Sequence, residues 1–175
     1  MGRSKILFAI AGILLLCAIV FYGWRWLFSG PRKRSAEELA QAALSAPSPD
    51  EQTAAAAELI ARGWPALPQM RRVLRDSTAA EVRAIMIQGL SEQWDFDSMP
   101  AFLDGLDDPA LVVRARSAAA VRRIECSDTG YQPEAPREER GPAIKALRDG
   151  WEKMRDSAMV KRARERLKQE RQNSH

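Results

Sequence analysis

Leu74-Arg75-Asp76-Ser77-Thr78-Ala79-Ala80-Glu81-Val82-Arg83-Ala84 returns further along the chain as Leu106-Asp107-Asp108-Pro109-Ala110-Leu111-Val112-Val113-Arg114-Ala115. Pro68, Leu74 and Asp76 reappear as Pro100, Leu106 and Asp108 at a spacing of 32. Val82-Arg83 reappears as Val113-Arg114 at a spacing of 31, and Leu90 then corresponds to Val121, so one residue is lost in the intervening turn. A period in the low thirties, with an apolar-patterned segment on each side of a short turn, is the signature of stacked helical hairpins.

Signals for helix surround this repeat. The chain is rich in alanine, leucine and arginine, which favours helix over sheet. Ser35-Ala36-Glu37-Glu38 has the form of a capping box, in which hydroxyl and carboxylate cover opposite orphan amides. Ser48-Pro49-Asp50-Glu51 places proline at the first helical position, where its missing N–H costs nothing. Thr78-Ala79-Ala80-Glu81 reads as a third capping box and Asp108-Pro109 as a fourth start. No segment sustains period-two alternation between hairpin turns. The expectation is an all-α chain, in helices of about 10 to 16 residues joined by short loops.

The repeated residues have local physical roles. The aspartate is expected to accept hydrogen bonds from free amides at the start of the next helix and to complement its dipole. The valine packs inward. The arginine reaches back to the aspartate of its own or the adjacent unit, so that Asp76, Arg83, Asp108 and Arg114 form a ladder along one edge. A phosphate-binding or acidic-peptide-binding role for Arg83 and Arg114 is the competing reading. Trp64, Trp94 and Phe96 are placed in the turns before the second helices, where they cap the core between units or anchor a partner.

Leu74, Asp76, Val82-Arg83 and their counterparts Leu106, Asp108, Val113-Arg114-Ala115 resemble the HEAT family, especially its short bacterial form of the pigment-lyase type. The resemblance is carried by two units over residues 65–124. A degenerate unit precedes them, residues 35–44 paired with 49–62. A fourth is sketched by Pro142-Ala143-Ile144-Lys145-Ala146-Leu147-Arg148-Asp149 and Val160-Lys161-Arg162-Ala163, its turn falling either at Asp149 or at Asp156-Ser157. An irregular loop, residues 125–141, interrupts the rhythm and reads as a flexible insertion, with a recognition loop as the alternative. The resemblance implies a short solenoid whose surface binds another protein. Its enzymatic members set limits: the deoxyhypusine hydroxylase type needs His-Glu pairs for iron, and the only histidine here is His175.

The N-terminus has a different character. Ile6-Leu7-Phe8-Ala9-Ile10-Ala11-Gly12-Ile13-Leu14-Leu15-Leu16-Cys17-Ala18-Ile19-Val20-Phe21-Tyr22 carries no charge and continues through Gly23-Trp24-Arg25-Trp26-Leu27-Phe28. As helix, the longer stretch covers roughly 34 Å, against a hydrocarbon core of roughly 30 Å. Tyr22, Trp24 and Trp26 have the placing of an interfacial aromatic belt with Arg25 snorkelling among them. Residues 1–28 are therefore expected to be a short tail and a single-pass transmembrane helix, in contact with the lipid bilayer through residues 6–28. A cleaved signal peptide is the alternative, but no small-x-small cleavage site follows. Residues 29–34, with Arg32, Lys33 and Arg34, form a basic juxtamembrane linker. The excess of cations on that flank favours a cytoplasmic position for the rest of the chain.

Charge divides the chain further. Residues 1–34 hold six basic and no acidic side chains, residues 35–150 thirteen basic and nineteen acidic, and residues 151–175 eight basic and four acidic. An acidic body argues against nucleic-acid binding by the repeats. Residues 151–172 read as a basic helix, with residues 173–175 a disordered tail. Ile144, Leu147, Trp151, Met154 and Ala158 supply an apolar stripe across its start. This helix is read as a polar outer cap closing the stack, or as a contact for anionic lipid or RNA. The two cysteines, Cys17 and Cys126, build no disulfide framework, and no cofactor or metal is expected. The expectation is thus a membrane-tethered, non-catalytic HEAT-like scaffold for an unknown protein partner, in residues 35–172. The alternatives are a nucleic-acid- or anionic-lipid-binding module and a lyase-like enzyme.

Overall fold

The computed structural model describes residues 33–125 and 130–173. The chain divides into two units, residues 1–34 and residues 35–175. The expected transmembrane helix, with Tyr22, Trp24, Arg25, Trp26 and Arg32, lies outside the described residues, as do Cys126 and the last two residues. Lys33 and Arg34 are exposed and irregular. Among the described residues, no helix is long and apolar enough to cross a membrane.

The second unit is all-α. Its eight helices, counted among the described residues, are α1 (Ala36–Ser45), α2 (Pro49–Ala61), α3 (Leu67–Asp76), α4 (Ala80–Glu92), α5 (Met99–Gly105), α6 (Leu111–Glu125), α7 (Arg137–Met154) and α8 (Ala158–Asn173). Single 3-10 turns at Trp64–Ala66 and Phe96–Ser98 lead into α3 and α5. The helices pair in sequence, α1 with α2, α3 with α4 and α5 with α6. The second member of each pair stacks on the next, α2 on α4 and α4 on α6. Among the first members, α1 packs on α3 and α5 on α7, whereas α3 and α5 barely touch.

Capping explains the first two starts. Ser35 Oγ accepts from the Glu38 amide at 3.1 Å, and Glu38 Oε2 accepts from the Ser35 amide at 2.7 Å. Ser48 Oγ accepts from the Glu51 amide at 3.1 Å. The third box is corrected: α4 begins at Ala80, its N-cap is Ala79, and no side chain caps it. Thr78 stands one residue too early for its hydroxyl to serve. Instead Ser77 Oγ accepts from the Ala79 amide at 3.2 Å.

One apolar core runs through the unit from Leu39 to Val160. Val82 and Val113 both face inward, 0% and 1% exposed. Small residues set the helix spacing, and the tightest approaches are at two glycines. A Cβ built on Gly89 of α4 would lie 2.5 Å from Ile60 Cγ1 of α2. One built on Gly105 of α5 would lie 2.1 Å from Ser117 Oγ of α6. Gly150 of α7 has nothing within 4 Å. Replacing a mid-helix glycine by alanine is ordinarily stabilising by about 1 kcal/mol. Gly150→Ala should follow that rule, whereas Gly89→Ala should destabilise by about 1–3 kcal/mol through overpacking against a β-branched neighbour. Urea denaturation of both variants checks the sign; equal shifts in one direction would show that Ile60 gives way.

The C-terminal third departs from expectation in three ways. First, α7 begins at Arg137, so residues 137–141 belong to a helix and the irregular segment ends at Pro136. Arg140 is only 8% exposed and donates to the Leu106 carbonyl at 2.9 Å, so tertiary contacts hold a first turn that Gly141-Pro142 would otherwise discourage. Second, the apolar stripe ends earlier than expected. Leu147 and Trp151 are buried, but Ala158 is exposed beyond a break at residues 155–157. The helix expected over residues 151–172 is two helices, and the turn falls at Asp156-Ser157, where Ser157 Oγ accepts from the Val160 amide at 3.3 Å. Third, α8 turns back along the stack instead of closing its end. Arg164 pairs with Asp97 at 3.3 Å and Arg171 donates to the Gln93 carbonyl at 2.9 Å.

Candidate functional site

The repeated arginines make one contact in common, and it is with the backbone. Arg83 Nη1 donates to the carbonyls of Ser77 at 3.1 Å and Thr78 at 2.9 Å. Arg114 Nη1 donates to those of Asp108 and Pro109, both at 2.9 Å. Each guanidinium therefore clamps the turn of its own unit, at the same offsets. It satisfies carbonyls in a turn that lacks helical partners for them.

The remaining donors point to the following unit. Arg83 forks onto Asp108, Nε to Oδ2 and Nη2 to Oδ1, both at 3.0 Å. The pair is mostly enclosed, at 17% and 13% side-chain exposure. Asp108 also accepts from the Ala110 amide at 2.9 Å, as expected of a residue at the start of a helix. Among the described residues Arg114 pairs with no aspartate side chain; its Nε donates to the Pro133 carbonyl at 2.7 Å. The expected ladder thus has one carboxylate rung, and the loop backbone takes the position of the next. Asp76 is not part of it. It is still the last residue of α3, partly exposed, and pairs with its neighbour Arg75 at 2.8 Å.

A cleft of about 290 Å³ opens beside this pair, where α3 and α5 diverge. Leu74, Ile87 and Ala101 supply apolar lining, and Arg75, Asp104 and the Arg83–Asp108 pair the polar rim. The two units are also joined through Arg71 of α3, which donates from Nε to Asp95 Oδ2 at 2.7 Å and from Nη2 to Oδ1. Asp95 is 3% exposed and also accepts from Ser98 Oγ at 2.5 Å. The hydrogen bond that Arg71 donates to Asp95 is the main reason its guanidinium is held above its ordinary pKa, with burial opposing. Repeat alignment overlooked this pair, because Asp95 lies outside the Val-Arg motif; its signal was Asp95-Phe96-Asp97-Ser98 ahead of Pro100, a helix-start pattern.

Trp64, Trp94 and Phe96 sit in the turns between units, ahead of the first helices α3 and α5 and not the second ones. Phe96 is buried and Trp64 half-buried, while Trp94 is 37% exposed. Trp94 has φ +52°, and Gly63, one repeat earlier, has φ +69°. Both end a second helix in the left-handed region, a conformation glycine adopts without penalty and tryptophan does not. Arg123 lies over the Trp94 ring, 5.1 Å from its centroid. Leu167 and Arg171 of α8 face Trp64 and Trp94 across a hollow of about 210 Å³. The aromatic rim is therefore partly covered from within the chain.

The described part of the loop, residues 130–136, makes contacts to the helical body. Tyr131 is 5% exposed and its hydroxyl donates to the Leu106 carbonyl, which also accepts from Arg140. Burial pushes the Tyr131 phenol above its ordinary value of about 10. An acid raised by folding ionises first in the unfolded chain, so its stabilisation is complete below pH about 10 and falls as pH climbs towards the folded-state value. Wild type should thus lose more stability between pH 9 and pH 11 than Tyr131→Phe, measured by urea midpoints. Parallel losses in the two proteins would remove Tyr131 as the cause.

No family model matches the chain, and neither curated proteins nor solved structures provide a match.

Proposed function

We propose that this chain is a membrane-tethered, HEAT-like α-solenoid that presents the cleft between its second and third helical pairs to a partner protein. The observation that carries the reading is the turn clamp repeated in phase by Arg83 and Arg114. It makes each hairpin a copy of its neighbour, and the stacking of α2, α4 and α6 has the nearest-neighbour form of repeat proteins. The cleft combines an apolar floor with a charged rim, the composition expected of a peptide-sized contact. A non-catalytic role is supported by where the charges go: the side chains of Arg83 and Asp108 complete turns and join units. The tether rests on the uncharged run of residues 6–22 and the aromatic and basic residues after it.

Two measurements test the two halves of this reading. After alkaline carbonate extraction, the full chain should remain in the membrane pellet and a chain lacking residues 6–28 should not. Recovery of the full chain in the supernatant would end the tether reading. A photo-crosslinking residue placed at Ala101, in the cleft, should yield a discrete adduct in cells, and the same residue at Ala57, exposed on α2, should not. Identical patterns from the two positions would discard the cleft. A reporter fused after His175 is expected on the cytoplasmic side.

A further inference from the structure

Resting on the tethered reading, we infer that the outward face of α8 is a contact surface for an anionic lipid bilayer. The starting observation is a contrast in how cations are used. Elsewhere Arg71, Arg72, Arg83, Arg140 and Arg148 engage carboxylates, and Arg116 and Arg122 of α6 are isolated exposed cations without an ion pair among the described residues, not a cluster. On α8 the inner face is used in the same way: Val160 is buried, Leu167 packs on the core, and Arg164 and Arg171 bond to Asp97 and the Gln93 carbonyl.

The outer face is different. At 100° per residue, Arg162 and Arg166 fall opposite Val160 and Leu167, and Lys161 and Lys168 fall together on one flank of that outer face. All four are exposed, and among the described residues none has an ion pair or hydrogen bond. Glu165 is the one carboxylate between them, and it too makes no ion pair among the described residues. Arg162 and Arg166, and Arg164 and Lys168, stand four apart, an arrangement of like charges that weakens an isolated helix. An anionic surface relieves that repulsion.

Beside Arg166, at the other edge of the outer face, stands Met159, 64% exposed and the most exposed large apolar side chain among the described residues. An exposed methionine beside Arg162 and Arg166, with Lys161 and Lys168 extending the face to its other edge, suits the boundary between headgroups and acyl chains, where stems and thioether bury and charges meet phosphate. A nucleic-acid backbone offers the phosphates without the apolar layer. The expected tether, residues 6–28, belongs to the same chain, so a bilayer is the anionic surface most continuously available to α8.

Lysine labelling of the full chain in lipid nanodiscs tests the assignment. Acetylation of Lys161 and Lys168 should be at least about fivefold slower in discs containing phosphatidylglycerol than in phosphatidylcholine discs, and 0.5 M NaCl should abolish the difference. Lys145, exposed on α7 and paired with Asp149, should change less than about twofold. Arg162→Glu with Arg166→Glu, both on the outer surface, should remove the protection of Lys168. Equal labelling of Lys161 and Lys168 in both lipids overturns the inference. Protection by added RNA in phosphatidylcholine discs, without protection by the anionic lipid, overturns it in favour of a nucleic acid. Failure of the chain to co-purify with discs strikes the tether itself, a separate result.

Discussion

Replacing Phe102 with alanine is expected to cost about 3–5 kcal/mol of stability. The side chain is fully buried and is among the largest in the core. It sits on α5, a helix of seven residues, too short to persist without tertiary contacts. That helix is also the junction of the stack, packed on α6 and α7. A domain of this size is stabilised by about 5–15 kcal/mol in total, so one truncation consumes a large part of the margin. Phe102→Leu, which keeps most of the volume, should cost under about 1.5 kcal/mol. Urea denaturation followed by tryptophan fluorescence reports both, since Trp94 and Trp151 flank α5 in sequence. An alanine variant within about 1 kcal/mol of wild type would mean the core collapses around the void or that α5 is not packed as described.

Arg83→Ala is expected to cost about 3–4 kcal/mol, as removal of one partner of a largely enclosed, forked ion pair does. The loss has two parts: two turn carbonyls lose their donor, and Asp108 is left without its guanidinium. Lysine has one ammonium and cannot reproduce the fork, so Arg83→Lys should recover less than half of the loss. A double-mutant cycle with Asp108→Asn separates the parts. Strong coupling assigns the loss to the rung between units, whereas simple additivity assigns it to the turn clamp alone. If Arg83→Ala shifts the midpoint no more than exposed Arg75→Ala, the clamp has no energetic role.

The period of the repeat was legible because it rests on local patterns. Apolar spacing, Ser35 and Ser48 ahead of acidic residues, and Val-Arg after a turn all bring their consequences within a few residues. The misreadings share the opposite character. Asp76 and Asp108 look alike in sequence, yet one ends α3 in solvent and the other receives Arg83, because the rung arginine comes from the preceding unit and the unit before Asp76 has Glu51-Gln52 where Arg83 stands. Thr78 fails as a cap because α4 begins one residue later than the box requires. Gly89 and Gly105 carry no sign, taken singly, that another helix approaches so closely. For the fourth unit the sequence leaves two turn positions, Asp149 or Asp156-Ser157, and the structure takes the second, dividing the helix expected over residues 151–172.

Taken by itself, the sequence determines that the segments on either side of the loop at residues 125–141 are helical, where the first two helices start, and that hairpins repeat with a period in the low thirties, because these follow from local propensity and apolar spacing. It also marks residues 6–28 as unlike the rest, since they open with the charge-free run of residues 6–22 and carry a single cation, Arg25. Tertiary structure alone decides which arginine meets which carboxylate, why α7 starts at Arg137 and why α8 turns back towards Gln93 and Asp97. Those outcomes depend on groups 25 to 78 residues apart being held at hydrogen-bond distance. No local preference encodes such a distance; the packed core sets it.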